Sequence, residues 1–172
     1  MCYAYSGDVS KRDRRSQVRT ELMDFDLDIV RNIDCEVDDD FFVLVVKETI
    51  ARSCVSSLSA WKNVAVGIAL VNDEAIAELN RTYRGKDVPT DVLSFSEYDG
   101  KEICPDVDGN IFLGDLVIAP GFVRAAAEGD MVPFRTELAF VVSHGILHLL
   151  GFEHSPKMFQ IQDEITEALT SP

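Results

Sequence analysis

From Phe25 the chain alternates with period two, placing Phe25, Leu27, Ile29 and Ile33 on one side and Asp24, Asp26, Asp28, Asn32 and Asp34 on the other. That pattern predicts a strand with one face in the core and one in water. Asp38 to Asp40 then precede a mostly apolar stretch from Phe41 to about Leu58, which predicts a helix with carboxylates at its positive end. From Val64 to Val71, large residues (Val64, Val66, Ile68, Leu70) alternate with small ones (Ala65, Gly67, Ala69). This predicts a buried strand whose small face lets a helix come close. Asn72 or Asp73 caps the next helix, whose Ile76, Leu79 and Tyr83 share a face; the turn holding Arg84 follows, and Pro89 closes it.

Strands are predicted at about 91–97 and 111–118, flanking a polar loop with Asp99-Gly100 and Asp108-Gly109, which suits an antiparallel pair. A short helix near 121–128 leads to one that is apolar almost all round over residues 138–150, with Pro133 in its first turn. Ser155 and Pro156 open the last helix, whose packing stripe is Met158, Ile161, Ile165 and Leu169. Residues 1–20 lack apolar periodicity and read as a mobile basic tail (Lys11, Arg12, Arg14, Arg15, Arg19), which leaves 21–172 as one domain. Strands and helices are mixed without strict alternation. The expected fold is therefore α+β: a small mixed four-stranded sheet packed by about five helices, with any metal site at the end of a buried helix.

The candidate chemistry lies in that buried helix. All three histidines of the chain, His144, His148 and His154, fall within eleven residues. On a helix, His144 and His148 project from one face, a turn apart. Gly151 is placed to end the helix in a left-handed turn, so that His154 swings back toward the other two. Buried imidazoles without partners cost roughly 1–3 kcal/mol each, and coordination of a cation removes that penalty. Three neutral imidazoles on one divalent ion, with zinc the leading choice, leave a position for water and an uncancelled double charge. That favours catalysis over a structural role, for which four ligands with thiolates are usual; Cys2, Cys35, Cys54 and Cys104 show no paired C-x-x-C spacing. Imidazole also suits nickel, copper and iron.

The same histidine spacing occurs in metzincin proteases, where a glutamate follows the first histidine as general base. Here that position is Gly145, so a metalloprotease would need its base from elsewhere. Glu153, beside His154, reads either as a hydrogen-bonding support for a ligand or as an exposed glutamate. Asp115 is a further candidate for such support, and both Asp91 and Asp115 are weaker candidates for a functional role, since strand-edge aspartates commonly cap turns.

The run from His144 through His148 and Gly151 to Glu153-His154 resembles the signature of the YbeY family of bacterial single-strand-specific metallo-endoribonucleases. So do the upstream run Leu79-Asn-Arg-Thr-Tyr83-Arg84-Gly-Lys-Asp-Val-Pro-Thr-Asp91-Val-Leu-Ser-Phe95 and the block Leu113-Gly114-Asp115-Leu116-Val117-Ile118, in the family's order over about residues 25–170. The resemblance implies a hydrolase that cleaves single-stranded RNA in ribosomal RNA maturation, notably at the 3' end of the small-subunit RNA, and in ribosome quality control. It also implies one zinc ion per chain on the three histidines and a functional arginine, Arg84, near the metal. Glu153 stands where aspartate is usual, Ser96 where proline is common, and the stretch from His154 to Met158 is short. Arg84 would hold phosphate oxygens as charge builds on them, with Lys86 a second substrate-binding candidate. Attack by water activated at the ion and attack by the ribose 2'-hydroxyl both remain open. A rival reading is a ribosome-associated binding protein whose metal only ties helix to loop.

Composition narrows the partners. With 172 residues and 47% apolar side chains the chain suits a single soluble domain, no apolar run is long enough to cross a membrane, and no signal segment follows the polar N-terminus. A cytoplasmic location with free thiols is expected. The net charge of -14 opposes non-specific nucleic-acid binding, and its distribution sharpens this: residues 1–20 carry +3 and the remainder -17. Arg81, Arg84 and Lys86, clustered in one turn, and the charge of the ion offset it locally. Weak affinity for free RNA follows, with recruitment by the ribosomal particle or by ribosome-associated proteins, and no DNA or membrane partner.

Overall fold

The structure, a computed structural model, describes residues 23–53 and 55–170; the basic N-terminal segment, Cys2 and Cys54 lie outside the described residues. Strand β1 (Asp24–Arg31) leads to helix α1 (Asp39–Ser53), a short 3-10 helix (Ser56–Ala60) and strand β2 (Asn63–Leu70). Helix α2 (Asp73–Arg84), strand β3 (Val92–Ser96) and strand β4 (Asn110–Ile118) follow. Helices α3 (Pro120–Asp130), α4 (Phe134–Leu149) and α5 (Pro156–Thr170) complete the order. The sheet runs β1-β2-β4-β3, with β1, β2 and β4 parallel and β3 antiparallel at the edge. This is one α+β domain with a mixed four-stranded sheet and, among the described residues, five α-helices.

Alternation decides which face is buried. Leu27, Val66, Ile68, Leu70, Leu116 and Ile118 join the main core with Phe41, Phe42, Val45, Leu138, Val142 and Ile146 of α1 and α4. Helix α4 is central, touching α1, α3, α5, β3 and β4. The other face is only partly covered: Ile76 and Leu79 of α2 pack with Ala69, Leu93 and Val117 near one end. Toward the middle, a Cβ on Gly67 would overlap the Asp115 carboxylate. The small face of β2 therefore admits a helix at Ala69, as its small residues lead one to expect, and a carboxylate at Gly67.

A β-bulge explains why Asp115 stands there. Ala65 pairs with Phe112 and Gly67 with Asp115, so β4 carries one extra residue at Leu113-Gly114, and Gly114 takes φ +127°. Burial then falls at Ile111 and Leu113 and, after the shift, at Leu116 and Ile118. Asp115 is turned to the outer, exposed face. Two boundaries also differ from expectation. The α1 stretch ends at Ser53, because Val55 is extended (φ -63°, ψ 127°) and separates it from the 3-10 helix. Pro133 is likewise extended (φ -60°, ψ 141°), so it precedes α4 as its cap instead of lying in its first turn. No helix among the described residues is long and apolar enough to cross a membrane.

Candidate metal centre

Helix α4 presents His144 and His148 one turn apart at its C-terminal end. The end is built by Gly151, whose φ of +80° suits a residue without a Cβ. Its N–H donates to the His148 carbonyl at 2.9 Å and the Phe152 N–H to the Leu147 carbonyl at 2.9 Å, the paired bonds of a Schellman turn. Phe152 packs on the cluster containing Leu147, the apolar contact that accompanies this turn. The reversal carries His154 back over the helix. Ser155 Oγ then accepts the Met158 N–H at 3.3 Å, and α5 begins.

The three Nε2 atoms converge. Their separations are 3.0 Å (His144 to His148), 3.2 Å (His148 to His154) and 3.2 Å (His144 to His154). Ligands about 2.0–2.1 Å from a tetrahedral zinc lie roughly 3.3 Å from one another, close to this triangle. The tautomers fit as well. His148 Nδ1 is 2.9 Å from the Phe152 carbonyl, which only accepts, so Nδ1 carries the proton and Nε2 a bare lone pair. His144 Nδ1 is 3.4 Å from Gln162 Oε1, while Gln162 Nε2 donates to the Phe140 carbonyl at 3.4 Å, which turns the amide oxygen to the imidazole. Two bare nitrogens facing each other repel unless a proton or a cation lies between them.

Protonation is disfavoured. Burial pushes His144 below the ordinary histidine range, helped by nearby His154 and opposed by the Gln162 hydrogen bond and Asp91. Burial, the His144 ring and the Arg84 charge push His148 the same way, against the Phe152 carbonyl. The trio is thus a ready-made group for one metal ion.

These imidazoles line a cleft of about 1340 Å³ whose other wall is the turn after α2 and the edge strand β3. Asn72 Oδ1 caps α2 by accepting the Ala75 N–H, and Gly85 ends it at φ +70°. Buried Asn80 donates to the Val88 carbonyl at 2.8 Å and pins the following turn. Arg84 is thereby set at the cleft, its Nη2 donating to the Ser94 carbonyl at 3.4 Å. Lys86 is exposed on the same wall. Asp91 also lines the cleft, its Oδ1 taking the Thr90 hydroxyl and the Val92 N–H. Ser96 donates its hydroxyl to the Leu149 carbonyl at 3.2 Å and so ties β3 to the end of the histidine helix.

The candidates separate accordingly. His144, His148, His154, Arg84, Lys86 and Glu153 share the cleft, whereas Asp115 stands on the outer sheet face over Gly67 and supports none of the histidines. Gly145 faces the sheet: a Cβ there would lie 2.7 Å from Leu116 Cδ2 and 3.4 Å from Val92 Cγ2. Gln162 escaped the sequence reading. Its signal was a polar residue four after Met158 and three before Ile165, inside an apolar stripe.

Comparison with known proteins adds a lineage to this geometry. The family described as Endoribonuclease YbeY matches residues 31–170. The Endoribonuclease YbeY of Halalkalibacterium halodurans is 36% identical over 152 residues, covering 80% of this chain and 96% of that protein. That of Persephonella marina is 44% identical over 115 residues, covering 63% of this chain and 72% of that protein.

Proposed function

The chain belongs to the YbeY endoribonuclease family, and from that premise we propose that it is a metal-dependent endoribonuclease cleaving single-stranded RNA. The observation that carries this reading is the convergence of three imidazole Nε2 atoms in an open cleft that also holds Arg84. His144, His148 and His154 would hold one divalent ion, with zinc favoured by an all-imidazole donor set and near-tetrahedral spacing. When bound, that ion supplies Lewis acidity toward a phosphoryl oxygen and lowers the pKa of water.

The chain's own groups supply binding and orientation. Arg84 offers a planar pair of donors for the non-bridging oxygens, whose charge grows as the phosphorus is attacked. Lys86, on the same wall, neutralises a neighbouring phosphate. The Phe152 carbonyl and Gln162 keep the protons of His148 and His144 on Nδ1 and hold both rings in place. A protease is disfavoured because a side chain at position 145 would press into the sheet instead of reaching the cleft.

Ribosomal RNA is the proposed substrate, at the 3' end of the small-subunit RNA and in ribosome quality control, within the cytoplasm. Family resemblance supports this, and the charge of -14 supports recruitment by the ribosomal particle over capture of free RNA. Purified protein incubated with single-stranded RNA, with and without chelator, tests the reading. Cleavage should vanish with chelator and in folded His144→Ala and Arg84→Ala variants. Cleavage that survives in both variants belongs to a contaminant and sinks the assignment.

A further inference from the structure

Phe159, in the first turn of α5, lies beside the metal group and is left uncovered. Its ring is within 7° of parallel to the His154 imidazole, with centroids 6.2 Å apart. It is 46% exposed, whereas Met158, Ile161 and Ile165 of the same helix are buried. Lys157 is also exposed, with Nζ 5.4 Å from the centroid of Phe152, a residue of the cleft wall. The lip on the His154 side therefore presents a flat apolar ring and an ammonium group two residues apart. Among the other large apolar side chains exposed in the described residues, Tyr83 packs edge-on against Phe95 and Phe112 lies on the sheet in register with Ala65, away from the histidines; the remainder, such as Val107 and Met131, have no ring.

A single RNA strand presents the complementary pair, a flat base and an anionic phosphate at each step. We propose that Phe159 and Lys157 form a subsite for one unpaired nucleotide next to the scissile phosphate, its base stacked on Phe159 and its phosphate beside Lys157; this rests on the nuclease reading above. A base inside a duplex has both faces covered by its neighbours, so the subsite selects unpaired RNA by the cost of unstacking. Stacking is indifferent to base identity, because every base has a π-face. The subsite thus sets strandedness more than sequence.

The test uses the zinc-loaded full chain and an unstructured RNA oligonucleotide, intact or with an abasic nucleotide placed in turn on each side of the main cut. Phe159→Leu keeps apolar volume but removes the ring; it should lower kcat/KM about tenfold, within the range of one base–aromatic stack, and Phe159→Tyr should restore it. Zinc affinity and the melting midpoint should match the wild type. At one position the abasic nucleotide should lower wild-type kcat/KM by a similar factor and leave the Leu variant no worse. Lys157→Gln should raise KM at low salt and little at high salt. The subsite is overturned if Phe159→Leu cleaves as well as wild type, if the abasic penalty persists in it, or if its loss merely follows weakened zinc binding. A zinc-loaded wild type that leaves RNA intact instead overturns the nuclease reading, and the subsite with it.

Discussion

Gln162 Oε1 lies 3.4 Å from His144 Nδ1, although the two residues are 18 positions apart and on different helices. Gln162 is fully buried and its amide also donates to the Phe140 carbonyl, so a single side chain fixes which nitrogen of His144 is bare. Leucine would fill the same space without a buried amide. Gln162→Leu should therefore melt at or above the wild-type temperature without metal, yet bind zinc about 10–100-fold more weakly. A chelator-competition titration beside a melting curve reads both. Unchanged affinity would show that Gln162 only fills the core.

Zinc should stabilise the fold by mass action, since the trio exists only in the folded chain. At free zinc 100-fold above Kd the gain is about 2.7 kcal/mol. For a domain of this size that raises the midpoint by roughly 5–11 °C. The single Trp61, buried in the core, reports unfolding by fluorescence. His148→Ala removes the ring that stands 3.0 Å and 3.2 Å from its two partners, and should abolish most of the rise.

Without metal, stability should fall on acidification below the histidine range. Burial holds His144 and His148 below the usual 6.5. As pH drops beneath about 6.5, the unfolded chain takes up protons that the folded chain refuses, so unfolding is favoured. Above that pH both states carry neutral imidazoles and this contribution is flat. Urea midpoints between about pH 8 and 5.5 should show the decline, and His144→Ala should flatten it. An equal decline in a His144→Ala/His148→Ala double variant would assign the effect to other groups.

The element order and the histidine trio were legible because their causes are local. Alternation in Phe25 to Ile29, the four-residue histidine spacing and the glycine at 151 each act within a few residues. What stayed hidden depends on the chain's partners in space. The extra residue at Leu113-Gly114 reverses the phase of β4 and sends Asp115 to the outer face, and only the pairing with Gly67 reveals it. Val55 breaks the apolar run after α1 by backbone geometry that composition does not encode. Gln162 faces His144 only because α5 packs on α4, a contact between helices that no local pattern announces.

Gly145, between the two helical histidines, is required by packing. Alanine there gains roughly 1 kcal/mol of helix propensity. Its Cβ, however, would stand 2.7 Å from Cδ2 of fully buried Leu116, and overpacking of that kind costs about 1–3 kcal/mol. Gly145→Ala should therefore destabilise by up to about 2 kcal/mol. Leu116→Ala alone leaves a cavity and costs about 2–5 kcal/mol. In the double variant the new methyl enters that cavity, so the combined loss should be smaller than the sum, with a coupling of about 0.5–3 kcal/mol. Denaturant titration of the four proteins closes the cycle. Strict additivity would mean that α4 does not rest on Leu116 through Gly145, and the close seat that holds the histidines over the cleft would need another cause.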